Sequence, residues 1–323
     1  MTAAPVLAVD NLSVEFRTRG GLVRALEHVS FEIGKGEMVA IVGESGSGKS
    51  VTAYTVMGIL DPAGRVSTGT ASFGGLDLLT TPEAVLRDIR GREMSMIFQN
   101  PRVALNPIRR VGDQIADVLL QHGNVTRPEA PQRAVDMLTR VRIPDPARRA
   151  KAYPFELSGG MCQRIMIAIA LSCAPRLLIA DEPTTGLDVT TQAAIMDLIA
   201  ELGAEQGMST LLITHDLGMA AEYCDRIVVM HAGHIVESAP TAELFAHPRH
   251  PYTAKLIAAT PRPAVSLIDL AAIPGNLPDL RQADIPPCRY VARCERRLPR
   301  CDQALPRVLG DHGDSMVACW NPL

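Results

Sequence analysis

An α/β fold with a mainly parallel core sheet is what this sequence predicts. Three features point to it: short continuous apolar runs that read as buried strands, helical spacing between those runs, and a glycine-rich turn leading from one strand straight into a helix. In chain order, Val6 to Phe16 alternates apolar and polar residues like a half-buried strand, and "RTRGG" after it reads as a turn. "HVSFEIGKGEMVAIVG" supplies two more strands, the second apolar throughout, and "SGSGKSVTAYTVMGIL" passes from glycines into helical spacing. From about Thr81 to Leu171 the pattern is largely helical, with proline punctuation and charge-rich segments such as "APQRAVDMLTRVRI". Two further buried strands, "RLLIAD" (Arg176 to Asp181) and "STLLITHD" (Ser209 to Asp216), flank the helix "TTQAAIMDLIAELGAE". "RIVVMHAGHIVESA" reads as a hairpin turning at Ala232 and Gly233. Past "HPRHPYTAKLIAATPRPA" the composition becomes proline-rich and irregular, which marks a boundary near residues 247 to 265. The helical stretch, about 85–172, is then an insertion into an α/β domain spanning 1–246, and 247–323 is a C-terminal extension.

At 323 residues, with 47% hydrophobic and 21% charged residues and a formal net charge of −3, the chain has an ordinary composition and ample apolar content for a core. There is no basic excess to suggest nucleic acid as the main partner. The longest apolar stretch, around "IMIAIALSCA", reaches about half of the ~20 residues a membrane span requires. "MTAAPVLAVDNLSVEF" at the N-terminus lacks the basic region and long apolar run of a secretory signal, so a cytoplasmic protein is expected.

"GESGSGKS", Gly43 to Ser50, fits G-x-x-x-x-G-K-[ST] and lies between a strand and a helix, the context that motif requires. Its glycines allow a tight backbone whose N–H groups face a phosphate, and the helix N-terminus adds a favourable dipole. Lys49 suits the β and γ phosphates and the Ser50 hydroxyl suits Mg²⁺. The nucleotide-binding set is Gly43, Ser45, Gly46, Ser47, Gly48, Lys49, Ser50 and Val51. "RLLIADEPTTGLD" places Asp181 and Glu182 at the C-terminal edge of a buried strand, where open α/β sheets bind ligands. Alone the pair would equally suit a loop or a helix cap. With the phosphate loop in the same chain, Asp181 reads as a Mg²⁺-holding aspartate and Glu182 as the general base for an attacking water.

"ELSGGMCQRIMIAIAL" opens a helix at Ser158, Gly159 and Gly160 just before the acidic strand, and it resembles the signature motif of the ATP-binding cassette (ABC) superfamily. The resemblance implies a P-loop ABC-type nucleotide-binding domain with an inserted helical subdomain. It also implies roles: Gln99 in "MIFQNP" as a Q-loop glutamine on Mg²⁺, Asp188 in "GLD" as the D-loop aspartate, His215 in "LLITHD" as the switch histidine, and Phe16 as a candidate for stacking on adenine. Ser158, Gly159 and Gly160 would serve the γ-phosphate bound by a second cassette, so ATP hydrolysis would need two cassettes face to face. Met161 and Cys162 depart from the side chains that many cassettes carry after this Ser-Gly-Gly.

"GESGSGKSVTA", "MIFQNPRVALNP", "DEPTTGLDVTTQA" and "HPRHPYTAKLIAATP" are similar to ATP-binding subunits of bacterial dipeptide and oligopeptide importers, a group that includes nickel importers. That resemblance implies an ATPase on the cytoplasmic face of the inner membrane. Its partners would be a second, related ATPase subunit as a heterodimer, two transmembrane permease subunits and an extracytoplasmic substrate-binding protein. The same motor serving nickel or glutathione uptake is an alternative, as is a soluble ABC ATPase not involved in transport.

Of the seven cysteines, Cys162, Cys173 and Cys224 read as small buried hydrophobes in helical contexts. Cys288, Cys294, Cys301 and Cys319 are spaced C-x5-C-x6-C-x17-C, which is not a zinc-ribbon pattern, although four clustered thiolates suit a Zn site or a [4Fe–4S] cluster. A disulfide framework does not suit a cytosolic chain, and four reduced thiols in a loose tail are the other reading without a metal. The tail resembles the C-terminal extension of peptide-importer ATPases, some of which hold a [4Fe–4S] cluster, and this favours the cluster over Zn. Arg289, Arg293, Arg296 and Arg297 read either as offsetting the charge of a thiolate-ligated cluster or as a solvated face. The extension is expected to be poor in core and, lying beyond His215 in the chain, to stand apart from ATP chemistry.

Overall fold

The computed structural model describes residues 4–123, 125–260, 273–282, 284–304, 308–309 and 315–323. The proline-rich run expected after "HPYTAKLIAAT" falls at 261–272, outside the described residues. The strands, in chain order, are β1 (Leu7–Thr18), β2 (Gly21–Ile33), β3 (Met38–Val42), β4 (Gly64–Phe73), β5 (Leu76–Asp77), β6 (Met94–Ile97), β7 (Leu177–Asp181), β8 (Ser209–Thr214), β9 (Arg226–His231), β10 (His234–Pro240), β11 (Val308–Leu309) and β12 (Met316–Val317). The helices are α1 (Lys49–Val56), α2 (Glu83–Ile89), α3 (Pro101–Ala104), α4 (Val111–His122), α5 (Ala130–Arg140), α6 (Pro146–Arg149), α7 (Gly159–Leu171), α8 (Val189–Gln206), α9 (Leu217–Tyr223), α10 (Thr241–Ala246) and α11 (Pro251–Ala258). No helix among the described residues is long and apolar enough to cross a membrane.

The chain divides into two compact units. One comprises Met1–Val6, Gly34–Gly36 and Thr81–Leu211; the other comprises Leu7–Ile33, Glu37–Thr80 and Leu212–Leu323. The first unit holds the helical stretch, but that stretch is not purely helical. It contains β6, which pairs in parallel with β7 in the register Ile97 to Ala180. A four-residue strand of fully buried residues, "MSMI", is too short to show a period of its own, and so it reads as part of a helical region. Around it, α4, α5 and α7 bury Ile115, Leu119, Leu138, Ile165 and Ile167. Helix α8 begins at Asp188, whose side chain accepts the Thr191 N–H, and ends at Gly207 in the left-handed conformation.

The second unit contains a four-stranded antiparallel sheet in the order β2-β1-β4-β5 and further strands in the order β11-β12-β10-β9-β3. The pair β3 and β9 is parallel, whereas β9 with β10 and β10 with β12 are antiparallel. The sheet structure is therefore mixed rather than mainly parallel. One source is visible at Ala232 and Gly233, both with positive φ (48° and 86°): this two-residue turn folds β10 back against β9, as the sequence predicts. Strands β4 and β5 were not anticipated, because "GRVSTGTASF" is mostly exposed and carries glycine instead of an apolar period.

The extension is not poor in core. Tyr252 and Tyr290 are among the largest fully buried side chains, and they cluster with His231 and His250 at ring-centroid separations of 4.6 to 5.9 Å. Glu237 on β10 accepts the Arg249 and His250 N–H groups, at 2.7 and 2.9 Å, and so ties the start of the extension to the sheet.

Burial holds both histidines neutral, with pKa values pushed down to about 3. A histidine whose pKa is depressed on folding takes up its proton in the unfolded state first. Stability is therefore complete above about pH 6.5 and falls as the pH drops from there towards 3, by on the order of 1 kcal/mol per pH unit for each residue. Chemical denaturation at pH 7 and pH 5 checks this. The midpoint falls on acidification, and His250→Asn, which keeps an acceptor for the Tyr252 N–H, flattens the dependence.

Candidate functional site

The residues singled out by sequence divide between the two units. The phosphate loop belongs to the second and joins β3 to α1. Its bend rests on glycine at two positions. A Cβ on Gly43, where φ is 154°, would stand 2.1 Å from the Met230 carbonyl oxygen; one on Gly48, where φ is 105°, would stand 2.7 Å from Leu26 Cδ2 and 3.0 Å from the Ala25 oxygen. Gly48 is the N-cap of α1, so the first N–H groups of that helix point into the loop. Lys49 is only 5% exposed, and its ammonium donates to the carbonyls of Gly43 (2.8 Å) and Glu44 (3.0 Å). Ser47 is fully buried with no partner for its Oγ among the described residues, and its carbonyl accepts the Gly233 N–H at 2.8 Å. Ser45 and Gly46 are exposed, while Ser50 and Val51 are half-buried on α1. The result is a ring of backbone around a buried cation, a shape and charge suited to a phosphate.

Phe16 lies half-buried on β1, opposite Gly64 of β4, and a Cβ on that glycine would stand 2.7 Å from its ring. His215 follows β8 and is exposed; the next residue, Asp216, caps α9 by accepting the Met219 N–H.

The first unit brings Gln99 and Glu182 together. Parallel pairing of Ile97 with Ala180 carries the two residues, each two positions further on, past the strand ends side by side, and Gln99 Nε2 donates to Glu182 Oε2 at 2.8 Å. The Thr185 hydroxyl donates to the same oxygen at 2.8 Å. Glu182 has φ of 46°, a left-handed conformation costing on the order of 1–3 kcal/mol, of the kind that accumulates where a side chain must be aimed. Asp181 closes β7 and is 1% exposed.

The other first-unit residues are held locally. Ser158 caps α7 by accepting the Met161 N–H at 3.3 Å, and a Cβ on Gly159 would meet nothing within 4 Å, so this helix start is open to a partner. Gly160 lies against α8, where its Cβ would stand 3.3 Å from Thr191 Cγ2. Asp188 accepts both the N–H and the hydroxyl of Thr191, which hold its carboxyl below the usual range. Cys162 is buried as expected, whereas Cys173 is only half-buried.

The four tail cysteines are unpaired by disulfides and are buried or half-buried. Burial pushes the Cys288 thiol up to about 12, with further raising by the charges of Cys301, Cys294 and Cys319; Cys294 and Cys319 are raised for the same leading reason. The four sulfurs therefore lie within electrostatic reach of one another. Each also meets a backbone N–H: from Tyr290 at Cys288, Arg296 at Cys294, Leu298 at Cys301 and Asn321 at Cys319. Among the described residues, no three His, Cys, Asp or Glu side chains are gathered at the spacing of a single metal ion. The arginines divide: Arg296 and Arg297 are exposed, as a solvated face would have them, whereas Arg289 and Arg293 are buried and follow neither expected reading. Arg289 and Arg293 are 5% and 8% exposed and bind Glu27 and Glu44, while Arg296 caps the Asn321 and Pro322 carbonyls and Arg297 pairs with Asp302. Glu44 is a residue of the phosphate loop, so the extension does not stand apart from the nucleotide motif. Distance along the chain hid a contact that the fold makes, and neither Glu44 nor Tyr252, whose hydroxyl accepts the Glu44 N–H at 3.1 Å, carried any signal in the sequence.

The ABC transporter family matches residues 26–185, and the C-terminal region of oligopeptide/dipeptide transporters matches residues 236–301. The chain is 46% identical over 316 residues to the dipeptide transport ATP-binding protein DppD of Bacillus subtilis, covering 98% of this chain and 94% of that protein. It is 44% identical over 319 residues to the oligopeptide transport ATP-binding protein OppD of Salmonella typhimurium, again covering 98% and 94%. Among solved structures, the ATP-binding cassette MJ0796, described as a dimer in a post-hydrolysis state bound to ADP and Pi, superposes with a TM-score of 0.66 at 27% identity, over 73% of this chain and 98% of that one. The chain belongs to the ABC transporter family, as an ATP-hydrolysing subunit of its oligopeptide and dipeptide import branch.

Proposed function

We propose that this chain powers uptake of di- and oligopeptides from the cytoplasmic face of the inner membrane, paired with a second, related ATPase subunit beneath two permease subunits fed by an extracytoplasmic binding protein. The phosphate loop carries this reading: a buried ammonium in a glycine-shaped ring at a helix N-terminus has little use other than holding phosphate. Lys49 and the loop N–H groups bind the phosphates of ATP, and Phe16 offers a ring to the adenine. Ser50, Gln99 and Asp181 are hard oxygen donors suited to Mg²⁺, which neutralises phosphate charge when bound. Glu182, aimed by its backbone and by Gln99 and Thr185, accepts the proton of the attacking water, and His215 and Asp188 complete the set.

Ser158, Gly159 and Gly160 serve the partner's nucleotide, in keeping with the open start of α7. Exposed apolar side chains at Val103 (81%), Ile108 (82%) and Phe155 (75%), all in the helical unit, suit docking to the permeases. Residues 1–246 form the motor and 247–323 the extension. Cys288, Cys294, Cys301 and Cys319 hold a [4Fe–4S] cluster in that extension. Support comes from an all-sulfur donor set, four thiols that sense one another, and N–H groups directed at each sulfur; a cluster also separates its ligands more widely than a single ion does. When bound, it would staple the extension.

In the reconstituted transporter, Glu182→Gln lowers ATP turnover by roughly 10²–10⁴-fold with ATP affinity kept. Normal turnover would remove Glu182 as the base. Lys49→Ala raises the ATP Kd by roughly 10–100-fold, the worth of a hydrogen bond to a charged group; an unchanged Kd overturns the phosphate loop. Protein purified without oxygen contains iron and acid-labile sulfide and absorbs in the visible range, and Cys294→Ser loses both. Colourless protein with stoichiometric zinc overturns the cluster.

A further inference from the structure

The C-terminal extension reaches the phosphate loop through a short segment bounded by two cysteines, Cys288 to Cys294. The Arg293 guanidinium forks onto the Glu44 carboxylate at 2.7 and 2.9 Å, donates to the Pro274 carbonyl at 2.7 Å, and meets His231 Nε2 at 3.2 Å. Because His231 is neutral, it can accept that bond. Glu44 is thereby held at every polar group. Its carboxylate takes Arg293, its N–H goes to the Tyr252 hydroxyl, and its carbonyl accepts the Ser47 N–H (3.2 Å) and the Lys49 ammonium (3.0 Å). An unbroken path of strong polar contacts runs from Arg293 to the cation that binds phosphate.

A second path starts four residues earlier. Arg289 donates to the Ala232 carbonyl and to Glu27 Oε2, and so braces the β9–β10 turn, whose Gly233 N–H in turn donates to the Ser47 carbonyl. The bracing is close: a Cβ on Gly233 would stand 2.7 Å from Arg289 Nη1. Both guanidinium groups are nearly inaccessible, at 2% and 4% side-chain exposure, so neither contact is a mobile surface pair that solvent would screen to insignificance.

We propose that the Cys288–Cys294 segment is a positioning element for the phosphate loop: Arg293 through Glu44, and Arg289 through the β9–β10 turn, set the loop in its nucleotide-binding geometry. ATP affinity in this chain is thus controlled from its C-terminal extension. Arg289 and Arg293 touch no substrate; they act through Glu44 and Ser47. The inference rests on the reading of residues 43–50 as the ATP site.

The test is the ATP Kd of the purified full-length chain, measured by titration calorimetry with Mg²⁺-ATP, alongside the nucleotide-free melting temperature. Arg293→Ala, Arg293→Lys, Glu44→Gln, the Arg293→Ala/Glu44→Gln pair and Lys49→Ala are compared. Arg293→Ala and Glu44→Gln each raise the Kd about 10-fold. The pair is no weaker than either single variant, and Arg293→Lys recovers part of the loss because it keeps a cation at Glu44. Should Arg293→Ala fail to fold, the isosteric Glu44→Gln and the conservative Arg293→Lys carry the same comparison. If Lys49→Ala weakens ATP binding while Glu44→Gln and the Arg293 variants leave it unchanged, or if their losses simply add, the positioning role is overturned. If Lys49→Ala itself leaves the Kd unchanged, the ATP-site reading has failed instead.

Discussion

A buried ammonium group is the constraint on which the second unit depends. Lys49 has little access to water, and it is tolerable there because two carbonyls of its own loop face it. Those carbonyls can turn inward only if the backbone bends through Gly43 and Gly48 in conformations closed to other residues. The bend in turn lets Met230 of β9 and Ala25 of β2 approach where side chains would otherwise stand. Strand packing, loop shape and charge placement are one arrangement, and a phosphate is the ligand that uses all three.

The chemistry in the first unit rests on a different device. Two parallel strands end in register, and each delivers one polar side chain just past its end, so that Gln99 and Glu182 meet without any cavity being dug for them. Glu182 is held there at the expense of backbone strain, while its neighbour Asp181 sits in unstrained strand geometry. The carboxylates of Asp181 and Glu182 thus come from adjacent residues of one strand end, and backbone conformation sets them apart. Asp188 is different: its carboxylate is already engaged by the helix it starts.

Much of this was legible in residue order, because each legible feature depends on local chemistry. The hairpin at Ala232 and Gly233 follows from two adjacent residues able to take positive φ, and the start of α7 follows from the capping side chain of Ser158. Features that depend on partners distant in sequence were not legible. β6 is a strand because β7 lies beside it, and β4 is a strand because β1 does, although neither segment has a decisive period of its own. Arg289 and Arg293 resemble surface charge when read along the chain, yet both are buried, Arg293 against Tyr290, His231 and Glu44 of the phosphate loop, and Arg289 against Glu27 and the Ala232 carbonyl.

By itself the sequence determined the phosphate loop, the acidic strand end, the signature helix and the cysteine spacing, since each is a run of neighbours whose spacing is the chemistry. Tertiary structure alone decided what those runs are joined to. It set Gln99 on Glu182 through strand register, buried or half-buried the four tail cysteines, and laid the extension against Glu44. The physical reason is the reach of the interactions. Turns, caps and loop geometry are decided within a few residues, whereas a guanidinium and a carboxylate 249 positions apart have no means of specifying each other until burial removes the water between them.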